Sequence, residues 1–182
     1  MKEQRYAIQE FVTASEIKQL REDLGLTQKE FANFLHCAKS TVERWEVSKE
    51  PLSGPVAFLI QMLKKHPEYV KEITVPEKAY SLRLWYMHEQ TVCTVIDVDE
   101  LARAVRIVNY MEHPMFRAFG VEEHPDYEQY KEFLESRCFP RSRDKMKLML
   151  RQLDIPFYDP YLIIEKTEGR MEEDHFWIRI ER

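Results

Sequence analysis

Glycine is scarce, with 4 residues in 182, beside 9 prolines. That excludes collagen-like chains and glycine-punctuated repeat scaffolds. The three cysteines, Cys37, Cys93 and Cys138, lie far apart, with no CxxC pair. Neither a disulfide framework nor a zinc ribbon fits that pattern, whereas a reducing, cytoplasmic compartment does. No apolar run nears the ~18 residues of a membrane helix. No apolar stretch follows the opening Met1-Lys2-Glu3-Gln4-Arg5, so a signal peptide is not expected. The second half has Gly120 and Gly169 as its glycines, too few for a phosphate-cradling loop. What is present is enough for a core, since 44% of residues are hydrophobic and 12% aromatic, which excludes a disordered tail.

The net charge of −5 is unevenly placed. Residues 1–75 carry 11 basic and 11 acidic side chains, and residues 76–182 carry 16 and 21. A small acidic total argues against coating nucleic acid in bulk but does not decide how one face is charged, so local placement matters more.

Residues 13–66 read as short helices. Thr13 followed by Glu16 is a capping-box pattern, with Ile17, Leu20 and Leu24 at helical spacing and Gly25 as the stop. Thr27 and Glu30 repeat the box ahead of Phe31, Ala32, Phe34 and Leu35. A third helix spans Lys39 to Glu46, with Val42 and Trp45 inward. Ser53-Gly54-Pro55 opens a fourth, carrying Val56, Leu59, Ile60 and Leu63 and stopping before Pro67. Residues 67–76, with a proline at each end, read as the joint between a domain of residues 1–70 and one of residues 76–182.

Beyond the joint the period changes. Residues 80–86, 91–98 and 104–110 alternate as strands and are close enough for an antiparallel meander. Helices follow at residues 127–137 (entered from Asp126), 142–153 and from Asp159-Pro160 to near Gly169. A last strand at residues 175–180 can return to the sheet edge. The fold class is therefore α+β: an all-α N-terminal part, then an antiparallel sheet with helices.

Leu26-Thr27-Gln28-Lys29-Glu30-Phe31-Ala32 and Ser40-Thr41-Val42-Glu43-Arg44-Trp45-Glu46 resemble the helix-turn-helix of the Cro/repressor (XRE) family, the likeness covering residues 13–66. Independently of that likeness, Ala32 is small enough for two helices to meet there. Inward Val42 and Trp45 leave Lys39, Ser40, Thr41, Glu43 and Arg44 outward, on a helix that fits a major groove. Arg44 can pair bidentately with guanine. Lys39 can reach guanine or phosphate, and Ser40 and Thr41 can bond bases or backbone. Gln28 matches a position where the family touches phosphate. Thr27 and Lys49 complete the expected DNA-contacting set. Glu43 and Glu46 weaken the groove-facing charge. Three departures stand out: His36 and Ser48 replace usual glycines, and Ala38 replaces a Ser/Thr cap.

The second half offers no catalytic constellation, and neither enzyme activity, cofactor nor metal is expected. His113, His124 and His175, with Glu122, Glu123 and Asp126, lack ligand spacing. Cys138 lies near Arg137 and Arg141, which could lower its pKa, but has no partner base. Residues 137–151 carry six basic groups (Arg137, Arg141, Arg143, Lys145, Lys147, Arg151) against Asp144. They read either as a docking patch for an acidic partner or phosphate, or as the solvated face of an amphipathic helix.

The run Phe133-Leu134-Glu135-Ser136-Arg137, the basic helix, Leu153-Asp154-Ile155-Pro156-Phe157-Tyr158-Asp159-Pro160 and Thr167-Glu168-Gly169-Arg170 resemble the small N-terminal subdomain of HipA-type kinase toxins. The two resemblances together imply a dimeric antitoxin that reads operator DNA and binds a separate HipA-like kinase, with no membrane partner. The other reading is a ligand-responsive repressor, with Trp85, Tyr86, Phe116 and Phe119 lining a small-molecule pocket.

Overall fold

A computed structural model describes residues 7–141 and 146–182. The chain divides into two compact units, residues 1–74 and 75–182. In the first, β1 (Phe11–Val12) leads into α1 (Ala14–Asp23). The capping box forms: the Thr13 N–H donates to a Glu16 carboxylate oxygen at 2.9 Å, and the Glu16 N–H to Thr13 Oγ1 at 3.3 Å. This backbone bond, followed by the Lys64 ammonium at 2.9 Å, brings the Glu16 carboxyl down to about 2. α1 ends as a Schellman turn, with Gly25 at φ +70 and the Leu26 N–H reaching the Arg21 carbonyl at 3.1 Å.

The next helix, α2 (Gln28–Phe34), repeats both devices. Thr27 and Glu30 cap each other at its start. At its end His36 takes the glycine slot at φ +51, while the Cys37 N–H bonds the Ala32 carbonyl at 2.9 Å. The turn expected of glycine is thus made by a histidine bearing the left-handed penalty. α3 (Lys39–Glu46) follows, and its Ala38 cap supplies no side-chain hydrogen bond.

Several short elements escape sequence patterning. β2 (Leu52–Ser53) pairs antiparallel with β1, placing Val12 opposite Leu52. After α4 (Pro55–Lys65), the expected joint is instead mostly helix: α5 (Glu68–Ile73) follows the Pro67 cap and buries Val70 in the first unit's core. The break between units falls after Thr74. That core joins Val12, Ile17, Leu20, Phe31, Ala32, Val42, Ala57, Ile60, Leu63 and Val70. Leu59, one of the apolar residues that mark α4 in the sequence, is 40% exposed.

In the second unit, β3 (Leu82–His88), β4 (Thr91–Asp99), β5 (Ala104–Asn109) and β6 (Phe176–Glu181) form an antiparallel sheet in the order β5-β4-β3-β6. The last strand does return to an edge, with Tyr86 opposite Ile178. α6 (Tyr127–Ser136), α7 (Met146–Gln152) and α8 (Pro160–Thr167) contribute Tyr130, Phe133, Leu134, Leu150, Ile163 and Ile164 to a core with Leu84, Ile96 and Ile178 of the sheet. The start expected for α7 at Ser142 lies outside the described residues.

On the opposite pleat positions Arg83 and Asp97 face each other across β3 and β4, both nearly buried. Arg83 Nε and Nη2 donate to the carboxylate at 2.6 and 2.8 Å, Nη1 to the Pro76 carbonyl at 3.0 Å, and the Ala79 N–H joins the carboxylate at 2.8 Å. Burial pushes the Asp97 carboxyl up, but these bonds and the guanidinium charge win and hold it below its usual range. The pair thereby ties residues 76–79 to the sheet.

Candidate nucleic-acid interface

The α3 helix positions the candidate site. Val42 is fully buried and Trp45 packs partly buried against the same core. Lys39, Ser40 and Arg44 are exposed and Thr41 is half-buried. The polar edge read from spacing therefore faces away from the unit's own core.

Glu46 corrects the sequence reading. It does not weaken the outward face, because its side chain is 4% exposed and turned inward. Arg21 Nε and Nη2 donate to it at 2.6 and 3.2 Å, and Gln28 Nε2 donates at 2.9 Å. Arg21 also reaches the Leu26 carbonyl at 3.0 Å. One carboxylate thus fastens α3 to α1 and to the start of α2. Burial raises the Glu46 carboxyl, but the Arg21 and Gln28 hydrogen bonds and the Arg21 charge outweigh it, leaving it ionised below its usual range. Sequence reasoning missed this clamp, yet a signal was there: Val42, Trp45 and Glu46 are spaced i, i+3, i+4, on one stripe.

The other expected contacts are spread around this helix. Thr27 caps α2, accepting the Glu30 N–H at 3.2 Å. Gln28 directs its amide nitrogen to Glu46, and its residue is half-buried at the first turn of α2. Lys49 is exposed beyond α3. Glu43 stays outward, its Oε1 2.8 Å from Lys39 Nζ. Val47, unremarked in the sequence, is 77% exposed directly after the helix.

The basic run of the second unit does not survive as one surface. Arg137, expected to dock a partner, is buried at 7%. Its guanidinium donates to the carbonyls of Gly169 and Phe176, both at 3.0 Å, and to the Asp174 carboxylate at 2.7 and 3.1 Å. Arg141 is exposed, paired with Glu135 at 2.7 Å and stacked 4.8 Å from the Tyr158 ring. Lys147 and Arg151 are exposed on α7, while Arg143 and Lys145 lie outside the described residues.

Cys138, weighed as a thiol activated by arginines, is 4% exposed, and burial pushes it up to about 12. Among the described residues no three His, Cys, Asp or Glu side chains gather to hold a metal, and no helix is long and apolar enough to cross a membrane. Trp85 and Tyr86 are successive strand residues and point to opposite faces. Tyr86 stacks on Phe176 at 4.9 Å, and Phe116 and Phe119 pack against the core, so the four aromatics do not line one pocket.

Comparison with known proteins agrees with the geometry of the first unit. Residues 17–63 match the Helix-turn-helix family model. Over 62 residues, 34% of this chain, the sequence is 29% identical to Antitoxin HigA-2 of Vibrio cholerae serotype O1, and the match spans 60% of that relative's length.

Proposed function

We propose that the chain is a sequence-specific DNA-binding regulator, the cytoplasmic antitoxin of a toxin–antitoxin operon that represses its own transcription. The observation that carries this reading is the exposed edge of α3, held from behind by buried Val42 and the Arg21–Glu46–Gln28 clamp. Such a helix enters a major groove as a rigid body. Arg44 then reads guanine, Lys39, Ser40 and Thr41 contact bases or backbone, and Thr27, Gln28 and Lys49 border the phosphates. Two copies with their reading helices about 34 Å apart meet successive grooves of a palindrome.

The likeness to a protein named as an antitoxin supports the toxin–antitoxin setting. In this reading residues 76–182 hold a HipA-like kinase toxin, with exposed Arg141 and Lys147 on the docking side. Arg137 is withdrawn from that set because its guanidinium is occupied inside the unit.

A gel shift with the DNA upstream of the protein's own operon tests the reading. Arg44→Ala is expected to weaken binding at least about tenfold, the worth of one bidentate base contact. Equal binding by the variant and the parent overturns the assignment of α3 as the reading helix.

A further inference from the structure

Glu43 stands on the outward edge of α3 without a role in the regulator reading, and it is paired with Lys39. By itself the pair adds little stability. Both side chains are about half exposed, 54% and 46%, and an exposed i,i+4 ion pair is a weak fastener in water. Its position is what gives it meaning. At about 100° per residue, with Val42 and Trp45 marking the inward side, Glu43 stands between Lys39 and Ser40 on the outward arc, and Arg44 lies on the far side of Ser40.

A carboxylate there faces a polyanion. It is tolerated only if a cation neutralises it and a base donates to it. The cation is already in place, Lys39 Nζ at 2.8 Å from Oε1. A carboxylate accepts at both oxygens and an ammonium has three N–H donors, so each partner keeps capacity for a base. Displacing water on docking strengthens their mutual attraction.

We propose that Lys39 and Glu43 act as one unit that reads a single C·G base pair. In the major groove cytosine presents its N4 amine as a donor, and its guanine partner presents O6 and N7 as acceptors. Glu43 accepts from the cytosine amine while Lys39 donates to guanine. Adenine also offers an amine, but its neighbouring N7 is an acceptor that repels the second carboxylate oxygen. Thymine offers no donor at all. Glu43 is therefore a specificity-determining residue, and its charge is the price of rejecting the other three pairs.

This inference rests on the DNA-binding reading and is tested so that the two can fail separately. The full chain and its Glu43→Ala, Glu43→Gln and Lys39→Ala variants, checked by circular dichroism for equal folding, each select sites from a pool of random duplexes. The parent is expected to enrich sites with an invariant C·G pair at one position per half-site. Its affinity for that pair over substitutions there should be about tenfold greater. Glu43→Ala should flatten that one position and leave the others. Glu43→Gln should move it toward adenine, which glutamine pairs at N6 and N7. Lys39→Ala should weaken binding to the selected site, with the carboxylate left uncompensated. If Glu43→Ala keeps every preference of the parent, or if all positions fade together, the assignment of Glu43 is overturned while DNA reading stands. A parent that enriches no sequence overturns the regulator reading and this inference with it.

Discussion

Arg137 shows how a cation that looks like surface becomes part of a core. Its side chain closes the turn after α8, where Gly169 sits at φ +60 and a Cβ would come within 3.3 Å of Arg137 Cβ. The Asp174 carboxylate is held below its usual range first by the Arg137 hydrogen bonds, against the opposing effect of burial. Removing the guanidinium takes two donors from that carboxylate, leaving it the Phe176 N–H at 3.0 Å, and takes one from each of two carbonyls. Arg137→Met is expected to destabilise the second unit by about 3–5 kcal/mol, read from the urea midpoint. Cysteine chemistry follows the same logic of burial. Cys93 and Cys138 are buried and burial raises both thiols, whereas Cys37 is half-buried. Ellman's reagent at pH 8 should therefore titrate one thiol per folded chain quickly and all three after denaturation; fast reaction of Cys138 in the folded protein would contradict its placement.

At the scale of elements, α3 is short and poorly started. It has eight residues and its Ala38 cap makes no side-chain bond. The helix before it ends through a histidine in the left-handed region. The start of α3 is therefore not held by side-chain capping, and the fastening comes from Val42, Trp45 and the Arg21–Glu46 bond at 2.6 Å. Ala38→Ser is expected to add about 1 kcal/mol of stability, seen as a higher urea midpoint at unchanged slope. By contrast α1 and α2 carry complete capping boxes, and α6 has its own between Asp126 and Gln129. Those three starts were legible because each box closes within three residues.

For the whole molecule, the decisive fact is that, among the described residues, the two buried cores share none: one ends at Val70 and the other begins at Leu82. Each unit should then fold without the other. Residues 75–182 expressed alone are expected to give a dispersed amide spectrum and no duplex binding. Residues 1–74 alone are expected to keep binding to the operator. A collapsed, poorly dispersed spectrum from residues 75–182 would show that the second core needs the first unit.

The amino-acid order alone determined the elements whose physics is local. Capping pairs, a glycine past a last turn and strict alternation act between residues up to about four positions apart, so the strands of the second unit, most helices and the outward edge of α3 could be read directly. Tertiary structure alone decided which charges face solvent. Glu46 turned inward because Arg21, 25 residues away, meets it, and Arg137 was buried because Asp174, 37 residues away, does. Helix α5 likewise joined the first unit because Val70 found that unit's core. Burying a charge is tolerable only when an opposite charge arrives with good geometry, and that arrival is a property of the folded chain.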